Sequence, residues 1–210
     1  MSRREKGSTG IKAVQYRQLE TMSIKGEKTM QVIKAVDPKT AQGKTKELFV
    51  AIEQRIKRVP NMIQLMGNSP AVLGAYLQFN EAFDKAKMSP KLRGLITTTV
   101  SEINGCDYTL STAFALGKRE GLSEEELTAA RHAEASDPKT SAALRFAAKT
   151  VGERGRVAPQ EIEKLRNAGF NDEEIVEIIA LVALNLFRNY FNLIAGTEVE
   201  FPLVKAHSAA

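Results

Sequence analysis

Apolar residues recur at helical spacing in block after block of this chain, and proline or glycine separates one block from the next. From Ala41 to Arg58, Leu48, Ile52 and Ile56 form one stripe with Phe49 beside it, which predicts a helix. Val59-Pro60-Asn61 ends it. Ser69-Pro70 opens a second block through Phe83, and Ser89-Pro90 a third through about Asn104, each with proline in the first turn. Gly105 interrupts the pattern, and Cys106 begins a helix running to about Glu120. Ser123, with Glu126 three residues on, predicts a capped start. Asp137-Pro138 begins a helix through about Gly152, and Pro159 a short one through Ala168. Asn171, with Glu174 three residues later, starts the last long helix, to about Ile194; Thr197 to Pro202 reads as an extended tail. No segment sustains strand alternation, so the fold class is all-α, a helical bundle.

Two segments look alike: Gly121-Leu122-Ser123-Glu124-Glu125-Glu126-Leu127 and Gly169-Phe170-Asn171-Asp172-Glu173-Glu174-Ile175. They read either as marks of two duplicated helical units or as two good helix starts. Their acidic clusters are best read as first-turn acids favoured by the helix dipole rather than as catalytic or metal-binding carboxylates. In the last helix Ile175, Ile178, Ile179, Val182 and Leu186 form one stripe, while Val176, Leu181 and Leu184 lie on other faces. More than one side seeks cover, which predicts a homo-oligomer with this helix in the core or at an interface. The same stretch is broken by Glu177 and Asn185 and followed by Arg188, so no membrane span is expected.

Charge changes the picture at one end. Residues 1–29 hold seven basic and three acidic residues, and so +4 of the net +5. They predict a disordered basic tail, with a single domain over 30–210. The rest is nearly neutral and lacks a basic stripe interleaved with aromatics, which argues against a nucleic-acid partner. No apolar stretch precedes Met30, so a secretory signal is not expected. A chain of 210 residues with 43% hydrophobic residues can bury a substantial core. Its single cysteine excludes a disulfide framework and predicts a reducing, cytoplasmic location.

That cysteine is the main candidate for chemistry. Backbone N–H groups at a helix start favour a thiolate, so Cys106 is either a reactive thiol or a buried structural one. Thr109 has no base in sequence reach and reads as a helix residue bonding back to a carbonyl. His132 reads as a helix-end residue and His207 as a solvated tail residue. Two distant histidines and one cysteine predict no metal site, and no cofactor is expected.

Residues 30–202 resemble an alkylhydroperoxidase D-like protein of the carboxymuconolactone decarboxylase superfamily. The resemblance rests on Val59-Pro60-Asn61, Ser69-Pro70, Asn104-Gly105-Cys106-Asp107-Tyr108, Leu116-Gly117, Gly121-Leu122-Ser123, Asn189-Tyr190-Phe191-Asn192 and Thr197 to Pro202. It implies an all-helical fold forming trimers or hexamers, and thiol-dependent peroxide reduction. Members with the full motif, C-x-x-C-x-x-x-H with a glutamate one helix earlier, attack peroxide with the second cysteine and resolve it with the first. Here Cys106 keeps the first position, Thr109 replaces the second and Ala113 the histidine. Gly94 stands at the glutamate position, and Leu193 where relatives carry a histidine. The resemblance with these departures implies lost or much reduced two-cysteine peroxidase activity. The alternatives are a one-cysteine thiol peroxidase or reductase using Cys106 with an external thiol reductant, and a non-catalytic oligomeric binding or structural protein.

Overall fold

The proline and glycine punctuation falls where helices begin and end. The computed structural model describes residues 31–207, which form nine helices and no strand; the basic segment 1–29 lies outside the described residues. The helices are α1 (Gly43–Ile56), α2 (Asn61–Met66), α3 (Pro70–Ala82), α4 (Pro90–Ile103), α5 (Asp107–Arg119), α6 (Glu124–Arg131), α7 (Pro138–Gly152), α8 (Pro159–Asn167) and α9 (Asp172–Ala195). Ser69, Ser89 and Asp137 each accept a bond from a first-turn N–H and precede a proline that fixes the first helical φ.

The two look-alike segments share one local structure. Gly121 and Gly169 take positive φ, which a glycine adopts without strain. Ser123–Glu126 and Asn171–Glu174 then close full capping boxes. The flanking apolar pairs Leu122 with Leu127, and Phe170 with Ile175, are all buried, as in a hydrophobic staple.

Helix α4 is the centre of the bundle, packed against α5, α6, α7 and α9. Ile96 and Val100 supply its apolar contacts, yet Thr98, Thr99 and Ser101 are buried with them. The threonines are accommodated because their hydroxyls bond back to carbonyls one turn earlier: Thr97 to Arg93 at 2.8 Å, Thr98 to Gly94 at 3.0 Å, Thr99 to Leu95 at 3.2 Å.

Three elements differ from the sequence expectation. Helix α1 buries Thr45, Phe49 and Ile52, while Ile56 in its last turn is exposed, and Lys57 then turns the chain left-handed. Helix α2 was not expected; its Met62, Ile63, Leu65 and Met66 are all buried, so one short turn shows no polar face to betray a period. Helix α9 buries Leu181 and Leu184 as well as Ile175, Ile178 and Val182, whereas Ile179 faces out. Helix α9 is long and apolar enough to cross a membrane, but 44% of its most apolar window is buried inside the domain, against α4, α5, α7 and α8. It is a core helix here.

Candidate functional site

The α4–α5 hairpin turns at Asn104-Gly105, where Gly105 has φ +65°. The turn presents Cys106 as the N-cap of α5 and Thr109 one turn further along. The thiol is 1% exposed. Its Sγ lies 3.3 Å from Thr109 Oγ1, so Thr109 does not bond back to a carbonyl. Asn192 of α9 reaches in from the other side: its Nδ2 donates to Thr109 Oγ1 at 3.2 Å and to Met62 Sδ at 3.3 Å. The site is thus a cysteine, a threonine, an amide and a thioether, with no base among them.

Burial pushes the Cys106 thiol up, and the neighbouring Asp107 carboxylate adds to it. Bonds from Thr109 and from the first-turn amides pull the other way and do not win. The helix N-terminus is present as expected, but desolvation of a charged sulfur outweighs it.

Beside the thiol is a clasp. Tyr108 donates its OH to Glu200 Oε1 at 2.8 Å, and the Asn61 N–H donates to the same oxygen at 2.9 Å. Asn61 Nδ2 bonds to the Glu198 carbonyl at 3.0 Å, and Arg58 lies over the Phe201 ring. Burial and the Glu200 charge push the Tyr108 hydroxyl up, so it stays a donor. The motifs around residues 59–61, 106–108 and 197–202 therefore meet in space.

The other named positions do not meet there. A Cβ on Gly94 falls 3.3 Å from Leu122 Cδ1 and 4.0 Å from Gly117 Cα. Gly117 is eleven residues along α5 from Cys106, about 16 Å at the helical rise, so Gly94 belongs to the far end of the hairpin. Glycine there permits close α4–α5 packing. Ala113 is buried on the Thr109 face of α5, and Leu193 is exposed beside the buried Asn192. Gly94→Glu should therefore lower stability by about 1–3 kcal/mol through overpacking against Leu122 without adding peroxide turnover. Thermal melts with a peroxide assay check both parts, and an undiminished melting temperature with faster turnover would contradict them.

The sequence reading missed a polar cluster on the neighbouring face. Glu102 is buried and takes Arg131 Nε at 2.8 Å, the His207 N–H at 2.8 Å and His207 Nδ1 at 2.7 Å. His207 is not a free tail residue, although its side chain is 67% exposed; its ring stacks on that of His132 with centroids 6.0 Å apart. His132 is the C-cap of α6, the helix-end position expected for it. Among the described residues no group of three or more His, Cys, Asp or Glu is placed to hold a metal ion. A surface cleft of about 260 Å³ lies elsewhere, lined by Lys87, Met88, Lys139, Phe170 and Glu174 among others.

Residues 70–149 match the carboxymuconolactone decarboxylase family. The matched stretch, from α3 into α7, contains the Cys106 hairpin. No curated protein matches the chain. Among solved structures, an uncharacterised peroxidase-related protein from Ralstonia eutropha with an alkylhydroperoxidase AhpD core superposes with a TM-score of 0.70 at 19% identity, covering 80% of this chain and 90% of that one. The debrominase Bmp8 gives 0.70 at 23% identity over 81% and 93%. An uncharacterised peroxidase-related protein from Silicibacter gives 0.66 at 21% identity over 83% and 95%. The fold of this chain is the AhpD-like helical fold.

Proposed function

We propose that this chain, an AhpD-like protein whose residues 70–149 belong to the carboxymuconolactone decarboxylase family, has lost two-cysteine peroxidase chemistry and persists as a helical oligomer. One observation carries the reading. The group 3.3 Å from Cys106 is the Thr109 hydroxyl, held by the Asn192 amide, where a dithiol enzyme needs a second sulfur. A neutral hydroxyl with no base beside it is a poor nucleophile, and a sulfenic acid formed on Cys106 has no partner thiol in its own chain. The buried thiol with its raised pKa also argues against a fast one-cysteine enzyme. A single buried thiol fits the reducing cytoplasm.

The oligomer is supported by α9. Val176, Ile179, Phe187, Tyr190 and Ile194 are exposed along one outward stripe. The Phe187 ring packs on Tyr76 of α3 with centroids 6.0 Å apart, next to exposed Val72 and Phe79. Such a continuous apolar surface fits a second copy of the chain, in a trimer or hexamer.

The test is peroxide consumption by the native protein with a dithiol reductant, followed by intact mass. Little or no turnover and no loss of two hydrogens is the expected result. Brisk consumption abolished by Cys106→Ser would overturn the loss of activity. Light scattering at several concentrations should give a multiple of the chain mass, and a single-chain mass throughout would overturn the assembly.

A further inference from the structure

His132 and His207 lie far apart in the sequence, and the fold brings them together. His132 is the C-cap of α6. Residues 203–207 run across α4, α5 and α6, tied by their main chain. Ser111 Oγ accepts the Val204 N–H at 2.9 Å, and Asp107 Oδ1 accepts the Ala206 N–H at 2.9 Å. Arg131 Nη2 donates to the Lys205 carbonyl at 2.7 Å, and Glu102 Oε1 accepts the His207 N–H at 2.8 Å. These bonds set the His207 ring beside that of His132, with centroids 6.0 Å apart. Both histidines are exposed. Two imidazoles on one metal ion place their ring centroids about 4.5–6.5 Å apart, for metal–nitrogen bonds near 2.1 Å. The observed separation falls inside that span, so the two rings reach a shared ion by side-chain rotation, with the backbone in place.

The nitrogens of the His207 ring have different neighbours. Glu102 Oε1 lies 2.7 Å from Nδ1, and Arg131 Nη2 lies 3.0 Å from the same atom. A carboxylate only accepts and a guanidinium only donates, so the two contacts ask for opposite tautomers. The carboxylate contact is the shorter, and Arg131 Nη2 already donates to the Lys205 carbonyl. The proton therefore sits on Nδ1, and Nε2 carries the open lone pair. A carboxylate that holds one ring N–H and leaves the other nitrogen open is how histidine ligands are oriented in metal sites. The opposing charge nearby is Arg131, and Glu102 pairs with it at 2.8 Å. The carbonyl end of α6, where His132 stands, favours a cation. We propose that His132 and His207 form a two-histidine site for a divalent transition metal of the zinc, nickel or copper class, with water completing its coordination. Imidazole suits these ions, whereas magnesium and calcium prefer oxygen ligands. Two protein ligands are fewer than a catalytic zinc usually has, so the ion acts as a clamp. It bridges α6 to residues 203–207. The site lies apart from Cys106 and stands whether or not the protein retains peroxidase activity.

The experiment is calorimetric titration of the chelator-treated, full-length chain with Zn²⁺, beside His132→Ala and His207→Ala. Neither substitution removes a buried side chain, and His207→Ala keeps its main-chain bond to Glu102, so the fold stands in both. The native chain should bind one Zn²⁺. Each variant should bind it about tenfold or more weakly, at least the loss that follows removal of an outer partner of a metal ligand. No saturable binding up to about 1 mM Zn²⁺ overturns the proposal. Affinity within about twofold of native in either variant also overturns it, because the ion would then not bridge the pair. So does displacement of the bound Zn²⁺ by an equal concentration of Mg²⁺, which would mark an oxygen site. Nitrogen-15 spectra of the imidazoles in the metal-free chain test the part played by Glu102. His207 protonated on Nδ1 supports the site, and His207 protonated on Nε2 alone overturns it.

Discussion

The variant Thr109→Cys should form an intrachain disulfide with Cys106 that the native protein cannot form. The native Sγ–Oγ1 separation is 3.3 Å. A disulfide needs about 2.05 Å, with Cα atoms roughly 4.4–6.8 Å apart, a span that residues three apart at a helix start satisfy. The remaining closure of about 1 Å falls on side-chain torsions at the N-cap, the least constrained turn of α5. Asn192 would lose an acceptor, since a thiol sulfur is a weaker one than the hydroxyl it now bonds. Peroxide turnover should return only weakly. The Cys106 thiol is pushed up by burial, and Ala113 offers no proton acceptor one turn away. Adding Ala113→His should raise the rate by about a hundredfold, the usual contribution of a placed general base. Intact mass before and after diamide checks the first step, and a folded variant that never loses two hydrogens would show that the two positions cannot pair.

Much of this site was legible, and the illegible part has a physical cause. Caps announce themselves, because only a few side chains satisfy first-turn N–H groups; Ser69, Ser89, Ser123, Asp137 and Asn171 mark helix starts in the sequence and cap helices in the structure. The reach between positions 106 and 109 follows from spacing, since residues three apart at a helix start share a face, although the sequence alone points the Thr109 hydroxyl back to a carbonyl rather than to the thiol. Gly94 could not be placed by counting back along the chain, because the hairpin carries it away from the thiol as α4 runs antiparallel to α5. In the sequence Asn192 stands out only as the end of Asn189-Tyr190-Phe191-Asn192. Its signal was Asn185, Asn189 and Asn192 at intervals of four and three inside an otherwise apolar helix. That pattern marks one buried polar face, and these residues bond to Thr97, Ser101 and Thr109 across the bundle. The Glu102 cluster left no local trace, because its partners lie 29 and 105 residues away.

Replacing Glu102 by alanine should cost about 3 kcal/mol, the usual effect of removing one partner of a buried ion pair. The carboxylate is buried, and each of its oxygens is used: Oε2 accepts from Arg131 Nε, and Oε1 accepts the His207 backbone N–H and lies 2.7 Å from His207 Nδ1. Without it Arg131, whose side chain is 13% exposed, keeps the Lys205 carbonyl but no counter-charge. For a chain of this size the loss corresponds to a fall of roughly 6–12 °C in melting temperature. The effect should also depend on pH with a defined sign. Burial by itself would raise the Glu102 pKa, but the bonds from Arg131 and His207 outweigh it and hold the carboxyl below its ordinary value. A depressed carboxylate stabilises the folded state above the unfolded value of about 4.3, and that contribution is lost as pH falls through the lower folded value. The stability gap between the native protein and Glu102→Gln should therefore be flat from neutral pH down to about 5 and shrink below it. Urea titrations at a series of pH values measure this directly. A gap that grows on acidification would mean that Glu102 is held protonated in the fold, and that Arg131 and His207 do not engage it as a charged pair.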